Sequence, residues 1–205
     1  MKRLLAGGAA GGCAWFLATG AAAQATHADT LATAAFSAYL RGPGSDWLQA
    51  AYYIFAVALV LLAVRMMANR RAQSLSAAAL LIVVACAVTL VAYTYSPWPL
   101  PGDPSIKLRI AIHKVSAVTA FAGVTIAMFL AAPLLWRPPA QYVLLAFATI
   151  LLLVELGAAF APDFGISEYA ILEKIAIAGI VLWLIAAAIR LTLDKRSPAP
   201  PPRYR

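Results

Sequence analysis

Three apolar stretches of this 205-residue chain carry ionisable side chains near one end. They are His113-Lys114 in Ile110–Trp136, Glu155 in Tyr142–Ala161, and Glu173-Lys174 in Tyr169–Ile189. Such groups are expensive in hydrocarbon and are kept where they face a protein interior or water, which makes them functional candidates. Tyr142–Val154 is too short to span, so its helix must run on through Glu155, about 9 Å below Ala161 at ~1.5 Å per residue. Ile175–Ile189 is also too short alone, which puts Glu173 and Lys174 about one turn beneath the surface. His113 and Lys114 enter at a similar depth, with Asp103 and Arg109 just above them. Arg109 and His113, four residues apart, share a helical face. The expectation is one polar cluster on three helices.

An imidazole beside carboxylates can act as a general base, as a proton relay, or as part of a pocket for a polar headgroup. His113, Glu155 and Glu173 are therefore the candidate catalytic residues. Asp103, Arg109, Lys114 and Lys174 are the candidates for headgroup or ligand binding. A purely structural alternative stands beside this. Lys114 or Lys174 could neutralise Glu155 or Glu173 as buried pairs that fix helix register, and long cationic side chains near helix ends can snorkel to the headgroups. Whether the chain is an enzyme stays open at this level.

No metal site and no cofactor is expected. The chain has two histidines, no His-Glu-x-x-His, no Cys-x-x-Cys, no Gly-x-Ser-x-Gly and no phosphate-cradling loop. Cys13 and Cys86 read as small packing residues, as do Met66 and Met67 at a helix end. Gln49 and Thr89 read as hydrogen-bonding partners between helices.

The elements that must position these groups follow from composition. Hydrophobic residues make up 63% of the chain and charged residues 12%, with mean hydropathy +0.84. A soluble domain has about 25% charged residues, so a soluble enzyme is excluded, as are a disordered tail and a disulfide scaffold. A spanning helix needs about 20 apolar residues. Six segments qualify, near 4–23, 47–64, 77–95, 110–136, 142–161 and 169–189. A membrane β-barrel would show short alternating stretches instead. The sequence thus predicts an all-α integral membrane bundle of six transmembrane helices in one domain, residues 1–193. A Pro-rich basic cytoplasmic tail, 194–205, follows it. Pro133, inside the fourth segment, predicts a kink near its end.

Basic residues set the orientation. Eleven of the 16 fall on the side of the termini under a six-span reading: Lys2, Arg3, Arg65, Arg70, Arg71, Arg137, Arg190, Lys195, Arg196, Arg203 and Arg205. Both termini are therefore expected in the cytoplasm, with the protein in a bacterial inner membrane. The net charge of +8 is mostly topological. It calls for no nucleic acid; the partners it implies are the lipid bilayer and its anionic headgroups.

The first segment has a rival reading. Met1-Lys2-Arg3, an apolar run and Ala23-Gln24-Ala25 also fit a signal peptide with its cleavage site. Gly7/Gly11 and Gly8/Gly12, four apart as in helix-packing faces, favour a retained helix.

Several ordered features together resemble a known family. Gly42-Pro43-Gly44-Ser45-Asp46-Trp47-Leu48 leads into the second helix, and Pro101-Gly102-Asp103-Pro104 precedes His113. The last helix carries Leu172-Glu173-Lys174-Ile175, Trp183-Leu184 and Arg190-Leu191. This pattern resembles the bacterial six-span membrane family catalogued as domain of unknown function 998. That family is distantly related to the Frag1/DRAM/Sfk1 group. The resemblance covers about Leu4 to Leu193. It implies six spans, a retained first helix, and a polar signature containing Asp103, His113 and Glu173. Lys174 stands where arginine is commoner, which keeps the charge but loses the bidentate fork. Glu155 lies outside the pattern and rests on physics alone.

The expected function is binding or processing of a lipid or other amphiphile in an outward-facing polar pocket. In a catalytic version His113 is the base, Glu155 or Glu173 orients it, and Arg109 or Lys114 holds an anionic group. The alternatives are a non-enzymatic accessory subunit or a small proton-coupled transporter. The transporter has less behind it, because no inverted repeat is visible. N-terminal sequencing of the purified protein checks the first span: a start at Met1 or Lys2 is expected, and a start at Thr26 would remove the first helix.

Overall fold

A computed structural model describes residues 1–27, 34–41, 45–68, 71–95, 104–160 and 169–193. These form six long helices: α1 (Lys2–Thr26), α2 (Ser45–Met67), α3 (Ala72–Tyr95), α4 (Ile106–Leu135), α5 (Ala140–Phe160) and α6 (Tyr169–Leu193). A six-residue 3-10 helix, Phe36–Arg41, lies between α1 and α2. Among the described residues there is no strand, and all six long helices are apolar and long enough to cross a membrane. Their outward faces are apolar too: Val57, Val83, Val115, Val118, Leu153 and Leu182 are all exposed. In water such a surface would aggregate, whereas in lipid it is the expected outside of a bundle. The chain is a multi-pass transmembrane protein.

Consecutive helices pack side by side, and α6 returns to pack on α1. The start of α1, the end of α6, Met66 and Leu135 share one end of the bundle. Contacts fix that end: Arg65 donates from Nη2 to the Leu191 carbonyl at 3.0 Å, and Arg190 donates from Nε to the Leu135 carbonyl at 2.9 Å. The last carbonyls of a helix lack partners within it and carry partial negative charge. Each arginine therefore caps the C-terminus of a neighbouring helix, Arg65 that of α6 and Arg190 that of α4. Ser74 adds a bond to the Met66 carbonyl across the α2–α3 turn, at 2.6 Å. The 3-10 helix sits at the other end, called here the cap end.

Glycines set the tightest approaches of α1. A Cβ on Gly12 would lie 2.8 Å from the Ala58 Cβ and 3.3 Å from the Ile54 carbonyl of α2, and one on Gly8 would lie 3.1 Å from Leu61. Gly7 and Gly11 face open space. Of the two glycine pairs in the sequence, Gly8/Gly12 is thus the packing face. Nearer the cap end, Gly20 leaves room for the Phe36 ring, whose Cζ lies 2.6 Å from where a Cβ would stand.

Three sequence expectations change here. Thr89 bonds to the Ala85 carbonyl of its own helix at 2.9 Å, and Gln49 donates to Tyr53 of its own helix at 3.2 Å. Neither bridges helices. A hydroxyl in hydrocarbon is satisfied most cheaply by the carbonyl four residues back, and Gln49 lies on an exposed stretch of α2 where the neighbouring Tyr53 is within reach. Met66 and Cys13 are buried as expected, whereas Cys86 is exposed on the outside of α3 and is not a packing residue. α4 continues through Pro133 to Leu135, so the proline falls in its last turn.

Gly12→Leu is expected to destabilise the detergent-solubilised protein by about 1–3 kcal/mol through overpacking against α2. Gly11→Leu, with nothing within 4 Å of its Cβ, should leave stability unchanged. Thermal unfolding midpoints of the two variants check the assignment of the face.

Candidate functional site

The 3-10 helix is the piece that assembles the polar end of the bundle. It is short and mostly apolar, and Phe36, Ser37, Tyr39 and Leu40 are all buried. Phe36 packs edge-on against Phe16 of α1, with ring centroids 5.8 Å apart, and lies 6.1 Å from Tyr52 of α2. Its backbone N–H hydrogen-bonds to the Glu173 carboxylate of α6. Ser37 bonds through Oγ to His113 Nε2 of α4 at 3.2 Å. Tyr39 donates to Gln24 of α1 at 2.8 Å and accepts from Lys174 Nζ at 3.0 Å. The Lys174 ammonium also lies 5.1 Å from the centroid of the Tyr39 ring, against which the His27 imidazole stacks at 4.9 Å. Two turns of 3-10 helix thus tie α1, α4 and α6 together.

His113 is held from both sides. Thr94 of α3 meets Nδ1 at 3.2 Å and donates its own proton to the Val91 carbonyl at 2.9 Å. With that proton spent, the Thr94 oxygen can only accept, so Nδ1 carries a hydrogen. In the neutral ring Nε2 is then the acceptor, and Ser37 is its donor. A hydroxyl donating to an imidazole whose far nitrogen is anchored is the arrangement that activates a hydroxyl in nucleophilic chemistry. It serves equally as a hydrogen-bonding station for a ligand.

Ser37, His113 and Glu173 line one cavity of about 80 Å³, enclosed by α1, α2, α3, α4 and α6. The remaining wall is apolar and aromatic, including Phe16, Phe55, Val84, Val88, Phe121 and Val181. Val84, Val124 and Val181 lie 10, 11 and 8 residues from Thr94, His113 and Glu173, so the cavity runs inward about 12–16 Å from its polar end. Its walls on α1, α2 and α3 are buried, whereas Ala117, Ala120 and Phe121 of α4 and Ile177 of α6 are partly exposed. The partly exposed apolar residues of the wall thus lie on α4 and α6.

Glu155 is not in this site. The Thr125 hydroxyl of α4 reaches both of its carboxylate oxygens, at 3.0 and 3.2 Å. Thr125 is 12 residues below His113 on the same helix, about 18 Å along its axis. The expectation of one level for His113, Glu155 and Glu173 measured depth from each helix end, as though the helices were equally long. They are not. α4 has 30 residues and α5 has 21, and the two share their far end, so α5 stops about 13 Å short of the cap-end start of α4. The Glu155 side chain also leans back along its helix. It joins α5 to α4 and leaves His113 to other partners.

The other candidates separate as well. Glu173 joins His113 at the cavity. Lys174 points to Tyr39, Lys114 is exposed, and Arg109 is half-buried; none of the three lines the cavity. Asp103 lies outside the described residues, together with Pro101, Gly102 and the 194–205 tail. No group of three or more His, Cys, Asp or Glu side chains able to hold a metal occurs among the described residues.

Ser37, Thr94, Tyr39 and Thr125 do not stand out by type or spacing. The usable sign was the apolar run Phe36–Leu40 inside a connection, since a solvated loop has no need of one. Thr125, a hydroxyl at mid-span, was a second.

Fold and site together define a helical membrane bundle with an amphipathic cavity at one end. A family model described as "Protein of unknown function (DUF998)" matches residues 9–190, and the chain belongs to that family. No curated protein and no solved structure gives a significant match.

Thr125→Val removes the donor that satisfies Glu155 and should cost about 1–3 kcal/mol of stability. Glu155→Gln keeps an acceptor for Thr125 and should cost less. Unfolding in detergent of both variants, and of the double variant, measures the coupling.

Proposed function

We propose that the protein binds, and in a catalytic version processes, a lipid or similar amphiphile in this cavity. The polar head rests at Ser37, His113 and Glu173, and the chain lies along Val84, Val88 and Val181. The observation that carries the reading is the segregation of polarity: three polar side chains meet at the cap end of a slot whose inner length is apolar. Ligand pockets typically combine such apolar lining with a few convergent polar groups. The partly exposed wall residues on α4 and α6 suit a ligand that arrives from the bilayer.

In the catalytic version, His113 Nε2 is the base, oriented by Thr94 and not by Glu155. The accessory-subunit reading draws its support from Glu155, whose contact with Thr125 is of the kind that fixes helix register. The proton-coupled reading has less behind it, because Glu155 and His113 stand about 18 Å apart in level.

Orientation belongs to the same proposal. Arg65 and Arg190 cluster with Lys2 and Arg3 at the end of the bundle where α1 starts and α6 ends, which supports a cytoplasmic placement of that end. The cavity then faces outward from a bacterial inner membrane. The exposed Trp47 and Tyr93 at the cap end fit an interfacial belt.

Ala120→Trp places an indole in the slot from a partly exposed position on α4. It should abolish co-purification of a bound amphiphile, read by native mass spectrometry, while the unfolding midpoint stays near that of the parent. Retention at the parent level would count against the cavity as the binding site.

A further inference from the structure

We infer that the head group this cavity takes is a hydrogen-bond donor and not an anion: an amine or a polyol on a hydrocarbon chain. The inference rests on the amphiphile reading above and specifies its ligand.

The polar wall is made of acceptors. The Thr94 hydroxyl gives its proton to the Val91 carbonyl, which places a hydrogen on His113 Nδ1, and in the neutral ring Nε2 is then the lone-pair side. Ser37 donates to that lone pair, so its oxygen offers the cavity lone pairs as well. A carboxylate has about four acceptor sites, and the Phe36 N–H takes one of those on Glu173. The remaining sites belong to a carboxylate that lines the cavity. Among the described residues, no lysine or arginine is part of the wall.

The described cations of the cap end stand outside the wall, although the Lys174 charge still acts on Glu173 from beside it. Lys174, the sequence neighbour of Glu173, donates to the Tyr39 hydroxyl and lies over its ring. Lys107 and Lys114 are exposed, and Arg109 is half-buried on α4 outside the wall. A phosphate or carboxylate head entering the slot would meet Glu173 with no matching donor, and burying an unpaired charge beside a like charge is costly. An ammonium or hydroxyl head supplies the protons this wall lacks. Each bond it makes to the carboxylate is charge-assisted, the stronger class of hydrogen bond. The slot is about 12–16 Å long, which suits a hydrocarbon chain laid along it.

The test uses the full-length protein in detergent and three probes with the same twelve-carbon chain length: dodecylamine, glycerol monolaurate and dodecyl phosphate. Native mass spectrometry titrations give each dissociation constant. The amine and the glycerol ester are expected to bind at least about tenfold more tightly than the phosphate. Glu173→Gln keeps an acceptor for the Phe36 N–H, so the cap should hold. It should weaken the amine by about tenfold or more while moving the glycerol ester by less than about threefold. Tighter binding of dodecyl phosphate than of the other two would overturn the donor-head inference and leave the amphiphile reading standing. Failure of all three probes to bind a folded protein would overturn both. The comparison of probes on the unsubstituted chain decides the matter even if the variant does not fold.

Discussion

The interaction on which the rest of this structure depends is the set of polar contacts that hold the 3-10 helix in the end of the bundle. Lipid offers no water to satisfy a peptide group, so non-helical backbone survives near a membrane only where protein supplies its partners. Phe36 finds the Glu173 carboxylate, Ser37 finds His113, and Tyr39 sits between Gln24 and Lys174. Glu173 satisfies a backbone group of the segment, whereas His113, Gln24 and Lys174 bond to its side chains. The same contacts bring a histidine and a carboxylate from two helices to one cavity. Structural need and candidate chemistry coincide at Ser37, His113 and Glu173, which is why a role for one does not exclude the other.

The two ends of the bundle solve the problem of helix termini differently. At the end where α1 starts and α6 ends, Arg65 and Arg190 donate to carbonyls at the C-termini of α6 and α4. Cations there complement the helix dipoles. The same residues count toward the positive bias that orients a membrane protein. At the cap end a folded segment does the work. Its ring-to-glycine contact, Phe36 against Gly20, needs close approach and leaves no room for a side chain. α1 thus contributes twice, through Gly8 and Gly12 to α2 and through Gly20 to the cap.

The six helices were legible in the sequence because their cause is local. Length and continuous apolarity suffice for a span, and the observed helices contain or closely match each of the six segments read from composition. His113 and Glu173 were legible as candidates because an ionisable residue below a helix end is conspicuous. Their partners were not. Ser37 and Thr94 are ordinary hydroxyls whose importance comes from tertiary placement, and nothing in their spacing separates them from Thr89, which bonds within its own helix. Glu155 was misplaced for a related reason. Depth was counted along one helix at a time, whereas the level of a side chain depends on how far its neighbours extend, and that is set by packing.

This mismatch in length also shapes the cavity. Because α5 is nine residues shorter than α4, it can brace α4 and α6 at depth, where Glu155 meets Thr125 and Leu151 packs against Gly179. It does not extend beside the first turns of α4. The wall between α4 and α6 is consequently the one that keeps partly exposed residues, Ala117, Ala120, Phe121 and Ile177, while every cavity residue on α1, α2 and α3 is buried. Glu155 therefore belongs to the bracing of the bundle: it joins α5 to α4 at the level of Thr125 and lies outside the cavity wall.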